Sequence, residues 1–159
     1  MLQILRESPR GRRMPLLPHK TILVIGAVVD IALHSGEGAV SAHDVADRLH
    51  LPRRRLEPFL QALVREGILG GLRGARGGYI LAKARQAISV YDISEAVKTV
   101  ETEEPNKELP WLLGTVVLPT LAQAEEYLKS NLKRITVEDL LRAASLQTLA
   151  NYRPAAIAR

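Results

Sequence analysis

Apolar positions recur at three- and four-residue spacing along most of this chain, and short polar signals mark where each run starts. The first helix is expected from Pro18. Its residues Ile22, Leu23, Ile25, Gly26, Val29, Ile31, Ala32 and Leu33 are apolar nearly all round, the pattern of a central, buried helix that ends near Ser35-Gly36. After a short link, Ser41 with Asp44 three residues on forms a helix start, followed by a stripe of Val45, Ala46 and Leu49. Leu51-Pro52 breaks this helix, and Pro52 suits the first turn of the next. There Leu56, Phe59, Leu60, Leu63 and Val64 define a buried face, and Gly67 can close the helix in a left-handed cap.

The pattern then changes. Ile68-Leu69 and Tyr79-Ile80-Leu81 read as two strands joined by a glycine-rich tip over 70–78, and 83–87 as a polar connection. Ser89 with Asp92 starts another helix, striped by Ile93, Ala96, Val97 and Val100. Residues 101–109 (ETEEPNKEL) read as an acidic exposed loop closed by Pro110-Trp111. A long helical stretch over 112–132 follows, kinked or restarted at Pro119. In it Leu121, Leu128 and Ile135 are spaced by seven, with Ala124 and Leu132 near the intermediate positions. Pairing with a second copy would cover that face, as would packing on the N-terminal core; dimerisation is favoured because so small a chain has little left to cover it. Thr136 with Asp139 starts a last helix ahead of Leu140-Leu141, and 145–159 read as a frayed tail.

The predicted fold is mainly α with a small β-hairpin wing: a winged helix-turn-helix plus a long C-terminal dimerisation helix. Its parts are a flexible basic extension over 1–14, with Met14 as an alternative start, a winged helix-turn-helix domain over 15–100, and a loop over 101–111. The dimerisation helix and C-terminal helix span 112–143, and the tail spans 144–159.

Charge sharpens this picture. The 159 residues carry a net charge of +5, unevenly distributed. Residues 48–85 hold nine Arg or Lys against two Glu, a balance of +7, whereas 86–159 hold eight against ten, a balance of −2. Arginines cluster at Arg53-Arg54-Arg55, directly after the helix break, and at Arg73 and Arg76 in the hairpin tip. A helix start alone would present three arginines as a solvated face. A helix start after a tight turn, followed by a basic hairpin, is how a winged helix-turn-helix grips DNA. The candidate DNA-contacting residues are Lys20, Ser41, Arg53, Arg54, Arg55, Glu57, Arg73, Gly74, Arg76 and Tyr79, and the candidate dimer seam is Leu121, Ala124, Leu128, Leu132 and Ile135.

Other chemistry finds little support. The glycine-rich tip is not followed by the Lys-Ser/Thr of a P-loop or by a helix, so it is not read as a nucleotide cradle. His19, His34, His43 and His50 lack a metal-site spacing such as His-Glu-x-x-His; His43 and His50 read as surface or turn residues, and Glu103-Glu104 with Glu108 as a solvated acidic loop. With no cysteine, the chain has no disulfide, thiolate zinc site or cysteine-held iron–sulfur cluster. No cofactor or metal is expected, and no enzyme activity. The apolar run over 21–33 is short and holds Asp30, so it does not span a bilayer; a cytoplasmic protein is expected.

The sequence resembles the Rrf-type (IscR- and NsrR-like) bacterial winged helix-turn-helix transcriptional regulators over about residues 15–142. The residues that carry the resemblance are Asp30-Ile31-Ala32-Leu33, Ser41-Ala42-His43-Asp44-Val45-Ala46, Leu51-Pro52, Leu56-Glu57 and Leu63-Val64-Arg65-Glu66-Gly67-Ile68-Leu69. The wing, Leu72-Arg73-Gly74-Ala75-Arg76-Gly77-Gly78-Tyr79-Ile80-Leu81-Ala82, is the most specific part; the helix over 88–100 and Ile135-Thr136-Val137-Glu138-Asp139-Leu140-Leu141 match too. The resemblance implies a homodimer joined through the long helix and bound to a roughly palindromic operator on double-stranded DNA; the favoured reading is a transcriptional regulator, more specifically a repressor. Arg53, Arg54 and Glu57 would then read bases in the major groove, and Arg73 would enter the minor groove. Two departures stand out. Many members hold an iron–sulfur cluster through three cysteines in the loop matching 101–111, where this chain has none, so any small-molecule or protein effector is of another kind. A tyrosine is common where Arg55 stands, so the operator sequence does not carry over. The alternative from another class is a sensor or adaptor whose winged helix mainly binds a small ligand or partner protein.

Overall fold

The computed structural model describes residues 16–74, 76–100 and 110–151. The acidic loop over 101–109, the basic extension up to residue 15 and the last eight residues lie outside them.

Among the described residues, six α-helices and one hairpin follow in chain order: α1 (His19–His34), α2 (Ala42–Arg48), α3 (Arg53–Arg65), β1 (Leu69–Leu72), β2 (Gly78–Leu81), α4 (Val90–Lys98), α5 (Leu118–Arg134) and α6 (Val137–Asn151). The anticipated α-rich fold with a two-stranded antiparallel wing is the one observed. Local chemistry explains most boundaries. Ser41 accepts the Asp44 N–H at 3.1 Å, and Ser89 with Asp92 makes a reciprocal capping box at the start of α4. Pro52 stands one residue before α3 rather than in its first turn, and His50 turns the chain with a φ of 53°. At the end of α3, Gly67 (φ 64°) sends its N–H to Val64 and Ile68 sends its own to Leu63, the doubly bonded left-handed ending that a glycine permits.

α1 runs through the centre, as expected, but its burial is more one-sided than its composition suggests. Val24, Ala27, Val28, Ile31 and Ala32 are buried, whereas Ile22, Leu23, Ile25 and Val29 are only half-buried and Leu33 is 51% exposed. Two polar residues occupy buried places instead, Thr21 and Asp30. The Asp30 carboxylate accepts a forked pair of bonds from Arg48 Nε and Nη2, each 2.8 Å at its shortest, and this bond holds the guanidinium firmly protonated. That pair ties the end of α2 to the end of α1. Leu60 and Leu63 from α3, Ile68, Ile88, and Ile93 and Val97 from α4 complete the core, with Val137 and Leu141 from α6.

The hairpin is longer than the sequence pattern suggests. Gly70, Gly71 and Leu72 belong to β1, in the register Leu69↔Leu81 to Leu72↔Gly78, so the tip shortens to residues 73–77. Val40 adds a strand-like rung on the outer edge of β2, exchanging both backbone bonds with Tyr79 at 2.9 and 2.8 Å.

Past residue 110 the helix begins with a wide turn, Leu113–Val117, in which the Leu118 N–H reaches back to Leu113. Pro119 has no N–H for the carbonyl four residues earlier, and the local register widens ahead of it. This is the irregularity that Pro119 leads one to expect. α6 reaches Asn151, well beyond residue 144, where a tail had been expected. Its start is secured by Asp139, whose carboxylate accepts the Thr136 N–H at 2.9 Å and hydroxyl at 2.7 Å. Those bonds, the hydroxyl's first, hold the Asp139 carboxyl below the ordinary carboxylate value. A depressed carboxyl stabilises the folded state above its unfolded pKa, and that stability disappears as pH falls through the folded one. Asp139→Asn is therefore expected to melt below the parent at neutral pH, with the gap closing as melts are repeated down to about pH 3. A gap unchanged over that range would contradict the assignment.

Candidate nucleic-acid interface

Three pieces of backbone meet on one side of the domain: the start of α2, the start of α3 and the wing. Between them lies an open cleft of about 510 Å³ lined by Ser41, His43, Arg53, Glu57, Arg73, Gly74 and Tyr79, among others. Each side chain is held there by a local device. Ser41 is pinned as the cap of α2, its hydroxyl bonded to Asp44 at 2.8 Å. Arg53 opens α3 directly after the Pro52 turn. Tyr79 is fixed through its backbone, shared between Gly71 on one side and Val40 on the other.

The wing approaches that closely only because of its glycines. A Cβ on Gly78 would run into the Val40 carbonyl oxygen, and one on Gly77 would stand 2.6 Å from the Leu72 carbonyl oxygen. Gly74 adopts a φ of 111°, which side chains rarely permit.

Electrostatics favour an anion here. Three arginines occupy the first turn of α3, where the helix dipole is already positive, and no acidic residue shares that turn. Glu57, the carboxylate among the lining residues, lies 3.6 Å from Arg53 in a largely exposed pair. Such a pair contributes roughly 0–1 kcal/mol, so Arg53 can exchange it for a phosphate or base edge at little loss. Burial pushes the Tyr79 phenol up, Glu57 adds to this and Arg53 opposes it, so at neutral pH the hydroxyl keeps its proton and can donate.

Of the ten candidate contacts, six line this cleft: Ser41, Arg53, Glu57, Arg73, Gly74 and Tyr79. Arg54 and Arg76 are exposed outside it. Arg55 turns to another flank and lines a small recess with Lys20, Leu23 and Phe59. Successive helical residues differ by about 100°, so Arg53 and Arg55 cannot share a face. His43 belongs to the cleft although the sequence marks it as an ordinary surface residue. It sits in the first turn of α2, with its ring 3.4 Å from Asp47. Its position two residues after the capping Ser41 was the available signal.

The expected dimer seam is not uniformly available. Leu121 is 58% exposed, Ala124 is exposed and Ile135 is 38% exposed. Leu128 is half-buried, and Leu132 is only 8% exposed within its own chain. Leu132 is thus covered within its own chain, where α5 packs on α4. The N-terminal half of α5, with Trp111, Leu112, Leu113, Val116 and Leu118, carries the exposed apolar surface instead.

Among the described residues no group of three or more His, Asp or Glu is placed to hold a metal ion, and no helix is long and apolar enough to cross a membrane.

The chain is similar to known transcriptional regulators. The family model Rrf2, described as an iron-dependent transcriptional regulator, matches residues 17–143. Protein rrf2 of Nitratidesulfovibrio vulgaris is 32% identical over 123 residues, covering 75% of this chain and 82% of that protein. The HTH-type transcriptional regulator IscR of Erwinia tasmaniensis is 37% identical over 81 residues, 51% of this chain and about half (49%) of that one. Among solved structures, T. potens IscR superposes with a TM-score of 0.66 at 28% identity, covering 91% of this chain and 95% of that one.

Proposed function

Since the chain belongs to the Rrf2 family of transcriptional regulators, we propose that it is a homodimeric, sequence-specific repressor that binds a palindromic operator without an iron–sulfur cluster. The observation that carries this is the shared cleft: Arg53 at the tip of one helix and Arg73 at the tip of the wing face the same space, in the most basic part of the chain. In the proposed complex the start of α3 enters the major groove, where Arg53, Arg54 and Glu57 meet base edges. Arg73 extends from the wing into the adjacent minor groove, whose negative potential favours a guanidinium. Arg55, Lys20 and Arg76, outside the cleft, suit phosphates on its margins, which set affinity rather than sequence.

Two copies joined along the exposed half of α5 place two such edges at a set distance, which a palindrome mirrors. The family's description mentions iron, but the donor set for a thiolate-held cluster is missing: the chain has no cysteine. The signal therefore acts through other residues.

The test has two arms. Binding to DNA fragments that co-purify with the protein is titrated at several salt concentrations. The logarithm of the association constant is expected to fall with log salt at about −0.9 per phosphate contact, hence about −4 or steeper for a dimer. In parallel, Leu121→Arg is expected to turn a sedimenting dimer into a monomer and to lower operator affinity with it. A flat salt response would instead favour an adaptor that binds a partner protein or small ligand, and a dimer that survives Leu121→Arg would rule out this seam.

A further inference from the structure

A second cavity, of about 200 Å³, lies on the other side of the molecule, where the start of α1 meets α4 and α5. It is far from spent by the fold. Thr21 is 4% exposed and lines it; its hydroxyl makes no bond among the described residues, and since no fully buried side-chain polar atom there lacks a partner, this one is reached by solvent rather than sealed in the core. Ser94, 7% exposed, also lines it, and its hydroxyl proton is committed to the Tyr91 carbonyl at 2.7 Å. What Ser94 has left are lone pairs, which accept. The remaining interior is apolar, formed by Leu16, Leu128 and Leu132.

The mouth carries both signs of charge. Lys98 is bonded to Glu95 at 2.7 Å on α4, and Lys129 lies 3.6 Å from Glu125 on α5. Lys129 also bonds Glu126 at 2.8 Å, on the outer side of the same helix. Two cations and two anions line the opening itself, already paired with one another, so a ligand of single charge that displaced one partner would strand the other, whereas a ligand of both signs can exchange into the pairs. A zwitterion answers both. Its ammonium faces Glu95, Glu125 and the acceptor-only Ser94 hydroxyl, and its carboxylate faces Lys98 and Lys129.

Size narrows the choice. An apolar cavity of about 150 Å³ takes a benzene ring, so one slightly larger accommodates a branched or aryl side chain but not a nucleotide. From the unpartnered Thr21 hydroxyl, the apolar interior and the mixed-charge mouth, we infer that this cavity binds a free apolar α-amino acid, as an effector site between the DNA-facing domain and the α5 arm. Occupancy bears on the angle of α5 because the walls belong to both. This gives a signal route that needs no metal.

The binding test does not involve DNA, so it stands or falls separately from the proposed operator binding. Melting of the whole protein is followed with L-leucine, with 4-methylpentanoate, which lacks the ammonium, and with 3-methylbutylamine, which lacks the carboxylate. L-Leucine at about ten times its Kd is expected to raise the melting temperature by about 3 °C, and each analogue by less than a third of that. Thr21→Leu, which fills the cavity, is expected to abolish the response. The exposed-rim double variant Lys98→Met/Glu125→Gln, which leaves the core untouched, is expected to weaken leucine binding at least about tenfold by calorimetry. An equal response to either analogue overturns the zwitterion. A response that survives both sets of substitutions overturns the site, and no response to leucine, with L-phenylalanine equally silent, overturns the inference.

Discussion

Gly78→Val is expected to lower the stability of this protein by about 3 kcal/mol. The added Cβ would meet backbone: the Val40 carbonyl oxygen, its carbon at 2.6 Å and the Ser41 nitrogen at 2.9 Å. None of these can swing aside as a side chain can, so β2 and the Val40 segment must part. The two bonds between Val40 and Tyr79 go with that movement, each worth about 1 kcal/mol net. The melting temperature should drop by about 6–12 °C for a chain of this length. Gly78→Ala should fall in the same direction by less. Gly71→Ala is the control: nothing lies within 4 Å of a Cβ placed there, so its melting temperature should stay within about 2 °C. Equal melting of Gly78→Val and its parent would show that the Val40 rung does not anchor the wing. The consequence reaches function, because the same rung fixes Tyr79 beside Arg53 and positions the Ser41 cap.

Arg73→Ala is expected to weaken operator binding about tenfold while leaving melting unchanged, since the side chain is exposed. A guanidinium seated in a narrow minor groove recognises the shape of an A·T-rich step, so preference for A·T at the positions under the wing should relax. The salt slope should lose about one phosphate equivalent at most. Arg76→Ala, whose side chain stands outside the cleft, should lower affinity similarly across sequences and leave the A·T preference intact. The comparison separates a base-step reader from a phosphate contact. If Arg73→Ala bound the selected fragment as tightly as the parent in a gel-shift titration, the wing would not be a DNA-reading element.

Much of this was legible in the residues because it is decided over a few positions. A serine or threonine followed three residues later by aspartate marks a helix start through bonds spanning a single turn, and Ser41, Ser89 and Thr136 all begin helices in this way. Gly67 ends α3 for a similarly local reason, a φ of 64° that residues with a Cβ resist. Pro119 announced the irregular start of α5 by lacking an N–H. The resemblance carried by the wing pointed to the family, which the matching family model and relatives establish.

Tertiary structure decided the rest, wherever the outcome hangs on partners far along the chain. The Val40 rung on Tyr79 joins residues too distant for any periodicity to pair, and nothing local distinguishes it from a loop. Leu132 carries the same spacing signal as its neighbours, but it is only 8% exposed within its own chain. The helical period separates Arg53 from Arg55, yet only the packing of α3 against α2, α4 and the hairpin decides which of them faces the wing. By itself the sequence determined where helices start and stop and where positive charge gathers, since both are properties of short stretches. Which arginines share a cleft, and which leucines stay exposed, depends on how the core orients each helix. That orientation is a sum over contacts that no short stretch contains.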